Sequence, residues 1–330
     1  MLEQKLSYEP KKRSWLRNAV IGLTVGLAAL VGGCEGKNKV SFIADNDIYT
    51  MNEDGSDKRN ITNTANESEE NYSWSTDGER IAFNIRPRYE IFIINKDGSK
   101  LQNILPTKSD NLGPSWSPDG TKIAFYTTGK LFVMNSDGRD VKQIGGGAYL
   151  PIKWSPDGKM ISTPSYASHP HHRILIFSAT GGLLREFEVA GIDTVWFSNP
   201  KLIIERGEYH PKLGMGNYVK SKLKIYDLDK KEETDMLCNI PDTFNSRPSL
   251  SPNRKQIAFL AGRDLYVSDV NSSNARKLIE KVDSTPLWSP DGEKLLFERE
   301  NDIYIVDLNG RVTNITNSPD KKEDELQWVP

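Results

Sequence analysis

From Val40 onward, short apolar runs alternate with polar turns along the whole chain. Ile81 Ala82 Phe83, Ile123 Ala124 Phe125, Ile257 Ala258 Phe259 and Leu295 Leu296 Phe297 are runs of the kind found in strands covered on both faces. Each run follows a polar turn, and each turn follows a large apolar anchor: Trp74, Trp116, Trp154, Trp196, Leu250, Trp288 and Trp328. A flat ring at one fixed position per repeat suits the gap between twisted sheets, where it buries roughly 150 to 250 Å². The pattern predicts repeated antiparallel sheets.

Turn chemistry supports that reading. In Trp116 Ser117 Pro118 Asp119 Gly120 the proline presets φ and the glycine supplies the left-handed position of a tight reversal. A third strand recurs as Asp47 Ile48 Tyr49, Glu90 Ile91 Phe92, Lys130 Leu131 Phe132, Arg173 Ile174 Leu175, Lys222 Leu223 Lys224, Asp264 Leu265 Tyr266 and Asp302 Ile303 Tyr304. It runs into Asp-Gly hairpins such as Asn95 Lys96 Asp97 Gly98. These carboxylates look superficially like calcium ligands, but each has a role the turn itself explains, and a calcium loop needs about six or more oxygens around one point.

With four strands per repeat, lettered a to d, the ends complete each other. Val40 to Ala44 reads as a strand b with no tryptophan strand before it, and Trp328 reads as beginning a strand a that stops at Pro330. Joining them gives an all-β, seven-bladed β-propeller of four-stranded antiparallel blades, closed by its N- and C-terminal strands, at roughly 42 residues per blade. Six or eight blades are the alternatives.

Residues 1–33 read as an export signal: Lys11, Lys12, Arg13 and Arg17 precede an apolar run from Ala19 to Gly33. That run is shorter than the roughly 20 residues a spanning helix requires. Val31 Gly32 Gly33 Cys34 resembles a bacterial lipobox, which makes Cys34 the lipidated N-terminus, residues 34–39 a short linker and residues 40–330 a single propeller. Glu35, in place of aspartate, points to the periplasmic side of the outer membrane in a two-membrane bacterium; a single-membrane organism would move the site to the outer face of the cytoplasmic membrane. Without residues 1–33 the chain carries 38 basic and 43 acidic residues, a net charge of −5, which argues against a nucleic-acid partner. Cys238 is then left without a disulfide partner and is expected to be a buried apolar filler.

The Trp-Ser-Pro-Asp-Gly, Ile-Ala-Phe and Ile-Tyr-x-Met-Asn-x-Asp-Gly elements together resemble TolB-type propeller repeats over nearly all of the chain after Cys34. The resemblance implies the fold more than the function, because similar repeats occur in envelope binding proteins, prolyl oligopeptidase propellers and some sugar-acid lyases. TolB itself has an α/β domain before its propeller, whereas here Cys34 leads almost directly into the first strand. No G-x-S-x-G elbow and no phosphate-binding glycine loop occurs in the sequence.

Alternating strand direction puts the a-to-b and c-to-d turns on one face and the b-to-c and d-to-a loops on the other. The linker from Cys34 reaches at most roughly 18 Å, so the tight-turn face should lie toward the membrane and the long-loop face should present ligand-binding residues. Loops are expected at 63–71, 165–172, 206–221, 242–249 and 319–327. Candidate contacts on that face are Arg86, Arg88, Tyr166, His169, His171, His172, Tyr209, His210 and Arg247. All four histidines fall in two of these loops, and they are the residues from which a metal-dependent, oligogalacturonate-lyase-like enzyme would draw its ligands. Proton-dependent binding is another use for them. The preferred reading needs no metal, cofactor or catalytic residue: a monomeric, lipid-anchored scaffold holding an envelope protein, peptide or glycan.

Overall fold

The computed structural model describes residues 38–330 apart from 65–66, 107–109, 166–171, 192, 210–217, 241–242 and 319–322. Its strands form seven four-stranded antiparallel sheets. Blade one runs from strand a, Ser68–Trp74, through Arg80–Arg86 and Glu90–Asn95 to Gln102–Leu105, and blades two to six repeat that order. Blade seven takes strand a, Asp324–Trp328, from the C-terminal end and strands b to d, Lys39–Ala44, Asp47–Asn52 and Arg59–Asn60, from the N-terminal end. The register is Val40 opposite Trp328, Ser41 opposite Gln327 and Ile43 opposite Asp324, so the ring closes as the sequence predicts.

Strands a of successive blades lie against one another, which makes them the innermost layer. Strand b is the buried spine of each blade, and Ile81, Phe83, Ile123, Ile257, Phe259, Leu295 and Phe297 have essentially no exposure. The aromatic residue of strand b stacks on that of strand c at 5.5 to 6.0 Å, as in Phe125 on Phe132 and Phe83 on Phe92. Cys238 is buried with Ile203, Leu223, Ile257 and Phe259, and burial pushes its thiol pKa up to about 11, so it packs as an inert filler.

The anchors also tie blade to blade. Trp154 Nε1 donates to the Ser115 carbonyl at 3.0 Å, Trp196 to Lys153 at 3.1 Å, Trp288 to Ser249 at 3.0 Å and Trp328 to Leu287 at 2.9 Å. Each acceptor is the residue just before the anchor of the preceding blade. At the closing seam Trp74 Nε1 donates instead to the Ser41 hydroxyl at 2.8 Å.

Turn carboxylates serve the turns. Asp119 Oδ1 accepts from the Ser117 hydroxyl at 2.6 Å and from Thr121 N at 3.0 Å; those bonds, led by the serine, hold its pKa below the ordinary range. Strand d is fixed by an Asn-Ile-Thr element used twice. Thr62 Oγ1 accepts from Ile48 N and donates to Asp47, and Asn60 donates to the same carboxylate at 2.7 Å. Thr316, Ile303, Asp302 and Asn314 repeat the arrangement.

Several expected loops are shorter than the sequence suggests. At both ends of the segment 206–221 the chain is strand, because strands b and c of blade four extend over Lys201–Tyr209 and Tyr218–Asp227, with Tyr209 paired to Tyr218. Strands a of blades one, five and seven likewise reach into the expected loops 63–71, 242–249 and 319–327, beginning at Ser68, Asn245 and Asp324. A bulge breaks their alternation, so their first halves carry no strand pattern.

Candidate functional site

That bulge builds the wall of the central channel. Three residues before the anchor, Asn71, Gly113, Arg247 and Glu325 have left-handed backbones, with φ of 49°, 60°, 51° and 53°, and the ladder shifts register at each. The same offset gives Pro151, Asp193 and Thr285 in the other blades, so one residue per blade occupies the collar position. Arginine and glutamate are poor choices for a left-handed backbone, which costs of order 1–3 kcal/mol at such residues. Three of the seven, Asn71, Gly113 and Pro151, are uncharged, and the other four, Asp193, Arg247, Thr285 and Glu325, include every charged residue of the collar.

Asn71, Gly113, Pro151 and Glu325 line one cavity of about 420 Å³, closed on the side of blade three by Leu150 to Lys153. Across the axis, Asp193 Oδ2 accepts from Thr285 Oγ1 at 3.4 Å, and Asp193 Oδ1 lies 3.9 Å from Lys153 Nζ. Arg247 donates to the carbonyl of Asp283, whose carboxylate is paired with Arg263. Glu205 of strand b stands behind this arc. It is 7 % exposed, fills the space that Gly191 leaves by lacking a side chain, and burial raises its pKa to about 7. Glu69, on strand a of blade one, is likewise raised to about 7 by burial, with its carboxylate accepting from Thr64.

The residues picked from sequence divide into groups. Arg86 and Arg88 flank the b-to-c turn of blade one, where Arg86 pairs with Glu70 at 2.8 Å and Arg88 with Glu67 and Glu90. They also lie over the Tyr89 and Phe92 rings at 5.7 and 5.2 Å. Arg247 is four blades on, at the channel, so the three arginines form no single cluster. His172 starts strand c of blade three, exposed and opposite Val189. Tyr166, His169, His171 and His210 lie outside the described residues, as does the side chain of Tyr209. Among the described residues no group of three or more histidine, cysteine or carboxylate side chains is placed to hold a metal ion.

Sequence reasoning misses Lys153 and the collar residues Asn71, Asp193, Thr285 and Glu325. The collar residues have a signal, the fixed offset of three residues before each anchor, which emerges when the blades are aligned on the anchor instead of on apolar runs; Lys153, one residue before Trp154, has none.

No family model matches the chain. It is 33% identical over 82 residues to a protein TolB homolog of Chlorobium luteolum, a match covering 23% of this chain and 19% of that protein. The matched stretch therefore spans about a fifth of the curated relative's length. Among solved structures, TolB from Acinetobacter baumannii superposes with a TM-score of 0.53 at 18% identity, covering 99% of this chain and 75% of that one. The β-propeller domain of the trilobed protease from Pyrococcus furiosus gives 0.54 at 15% identity, covering 72% and 79%; that domain is described as having an open velcro topology, whereas here the terminal strands pair. In fold the chain is a seven-bladed β-propeller, and in fold and in part of its repeat sequence it is similar to TolB.

Proposed function

We propose that this protein is a lipid-anchored, non-catalytic binding module of the bacterial cell envelope that holds a protein, peptide or glycan partner on its long-loop face. The observation that carries the reading is the collar. Arg247 and Glu325 hold left-handed backbones on the wall of the channel, and strain at half-buried charged residues there is kept where a surface has work to do. Arg86, Arg88, Tyr166, Tyr209 and the four histidines, which fall at or between strands b and c in the sequence, would extend the contact outward. Cys34 would carry the anchor. Asn38 Nδ2 donates to Asp291 at 2.6 Å in the a-to-b turn of blade six, which supports entry of the chain on the tight-turn face and hence a long-loop face turned away from the membrane.

Affinity capture from detergent-solubilised envelopes tests this. A partner held by the parent protein should be lost, or fall about tenfold in yield, when Arg247 and Glu325 are both changed to glycine. Glycine accepts the left-handed backbone, so folding should be retained. An unchanged set of partners at unchanged yield defeats the reading. For the anchor, Cys34→Ser should move the protein from the membrane fraction to the soluble fraction, and retention in the membrane fraction refutes it.

A further inference from the structure

The channel has a second chamber, of about 520 Å³, whose lining differs in kind from the collar. It is reached from the tight-turn side, because the turn residues Pro118, Pro156 and Arg254 contribute to it. Its walls are the rings of Trp154 and Trp196 with Leu250 and Leu287. Two cations enter this apolar space, Lys153 and Arg254, and no carboxylate among the described residues lines it.

Both cations have donor capacity to spare. Lys153 Nζ donates to the Thr194 carbonyl at 2.8 Å, and its nearest carboxylate, Asp193, is beyond hydrogen-bond distance at 3.9 Å. An ammonium carries three donors, so two remain for a guest. Enclosure in the channel draws its pKa down, with Asp193 opposing. Arg254 belongs to the a-to-b turn of blade five and donates from Nη1 to the Phe197 carbonyl of blade four at 3.1 Å, which leaves most of its five donors unused. The two side chains therefore flank blade four. Leu250, where the other blades carry tryptophan, is what makes room between them. A volume within about 300–1,000 Å³, apolar walls and a few convergent polar groups are the marks of a small-molecule site.

We propose that this chamber binds an apolar chain ending in a carboxylate, with Lys153 and Arg254 as the anion contacts and the Trp154, Trp196, Leu250 and Leu287 wall enclosing the apolar part. A carboxylate fits better than a phosphate. The chamber offers two side-chain cations, while its lining among the described residues contains no glycine-rich turn and no helix N-terminus of the kind whose backbone cradles receive phosphates.

Calorimetric titration of the purified protein with sodium octanoate, octyl phosphate and 1-octanol tests the assignment. Octanoate should bind, and its Kd should rise about tenfold or more in Lys153→Met and in Arg254→Asn. Octanol should bind at least about tenfold more weakly than octanoate and respond to neither substitution. Arg254 lies on an exposed turn at φ 58°, a conformation asparagine tolerates, so that variant decides the matter even if Lys153→Met does not fold. No binding of octanoate, equal affinity in parent and Arg254→Asn, or tighter binding of octyl phosphate than of octanoate each overturns the proposal.

Discussion

Single residues in this ring are constrained by what the next blade brings against them. Gly55, in the c-to-d turn of blade seven, has φ +81°, and a Cβ there would stand 2.6 Å from the Ile315 carbonyl oxygen of blade six. Gly120 has φ +68° but nothing within 4 Å of a Cβ. Alanine should therefore cost about 1 kcal/mol at Gly120, from backbone strain alone, and about 2–4 kcal/mol at Gly55, where a blade-to-blade clash adds to it. Urea unfolding of the two variants measures the difference, and equal losses would show that the turn glycine does not set blade spacing. Glu205 gives a prediction in pH. Its folded pKa, raised by burial to about 7, lies above the unfolded value of about 4.3, so its contribution to stability is fully present below about pH 4.3 and lost as pH rises through about 7. Glu205→Gln removes the charge that burial penalises. It should gain of order 1–3 kcal/mol over the parent at pH 8 and lose that advantage by about pH 4. A pH-independent difference in Tm would contradict this.

The anchor is the element-scale device, and its seven copies are not equivalent. Trp288 spends its N–H on the Ser249 carbonyl, whereas Trp116 Nε1 is buried without a partner and its ring lies under the Arg80 guanidinium at 4.7 Å. Phenylalanine keeps the ring in both places and deletes the donor. Trp288→Phe should lose about 1–2 kcal/mol more than Trp116→Phe, since one removes a made hydrogen bond and the other an unmet demand. Denaturation midpoints decide it, and the reverse order would dismiss the blade-to-blade hydrogen bond as a stabilising term. The legibility of these elements follows the same physics. Strands b and c could be read from the chain because covered strands are apolar triplets and Asp-Gly hairpins have a fixed chemistry. The first half of strand a could not, because the bulge at Asn71, Arg247 and Glu325 breaks the alternation that marks a strand. The extension of the blade-four hairpin was hidden too. Its exposed arms are held by charge, with Lys220 and Lys222 3.2 and 3.6 Å from Glu208, and alternating charges read as loop. The candidate site was legible only in part, since Arg247 stands out by residue type and Lys153 does not.

At the scale of the whole molecule, closure joins strands at the two ends of the described chain. Val40 meets Trp328 across nearly the whole sequence of the propeller, so this pairing bears the largest loop-closure entropy of any in the ring. Burial and hydrogen bonding concentrate there in return. Trp328 and Leu326 pack with Val40, Phe42 and Met51, Val329 N donates to the Lys39 carbonyl at 2.9 Å, and Gln327 Nε2 reaches the Tyr72 carbonyl of blade one at 2.6 Å. The buried Ser41 hydroxyl gathers the donors of Tyr72 and Trp74 of blade one at 3.0 and 2.8 Å, and Trp328 Nε1 donates to the Leu287 carbonyl of blade six, so the seam is bonded into both neighbouring sheets. Deleting Asp324–Pro330 takes away two large buried side chains and leaves the edge of Lys39–Ala44 unpaired. The loss should exceed about 5 kcal/mol and should bring concentration-dependent aggregation through that edge. If the deficit is specific to closure, a synthetic Asp324–Pro330 peptide added in trans should raise the melting temperature of the truncated protein, whereas the same peptide with Trp328→Ala should not. A truncated protein that melts with the parent would mean that the propeller is held by its six continuous blades and that the terminal pairing is incidental.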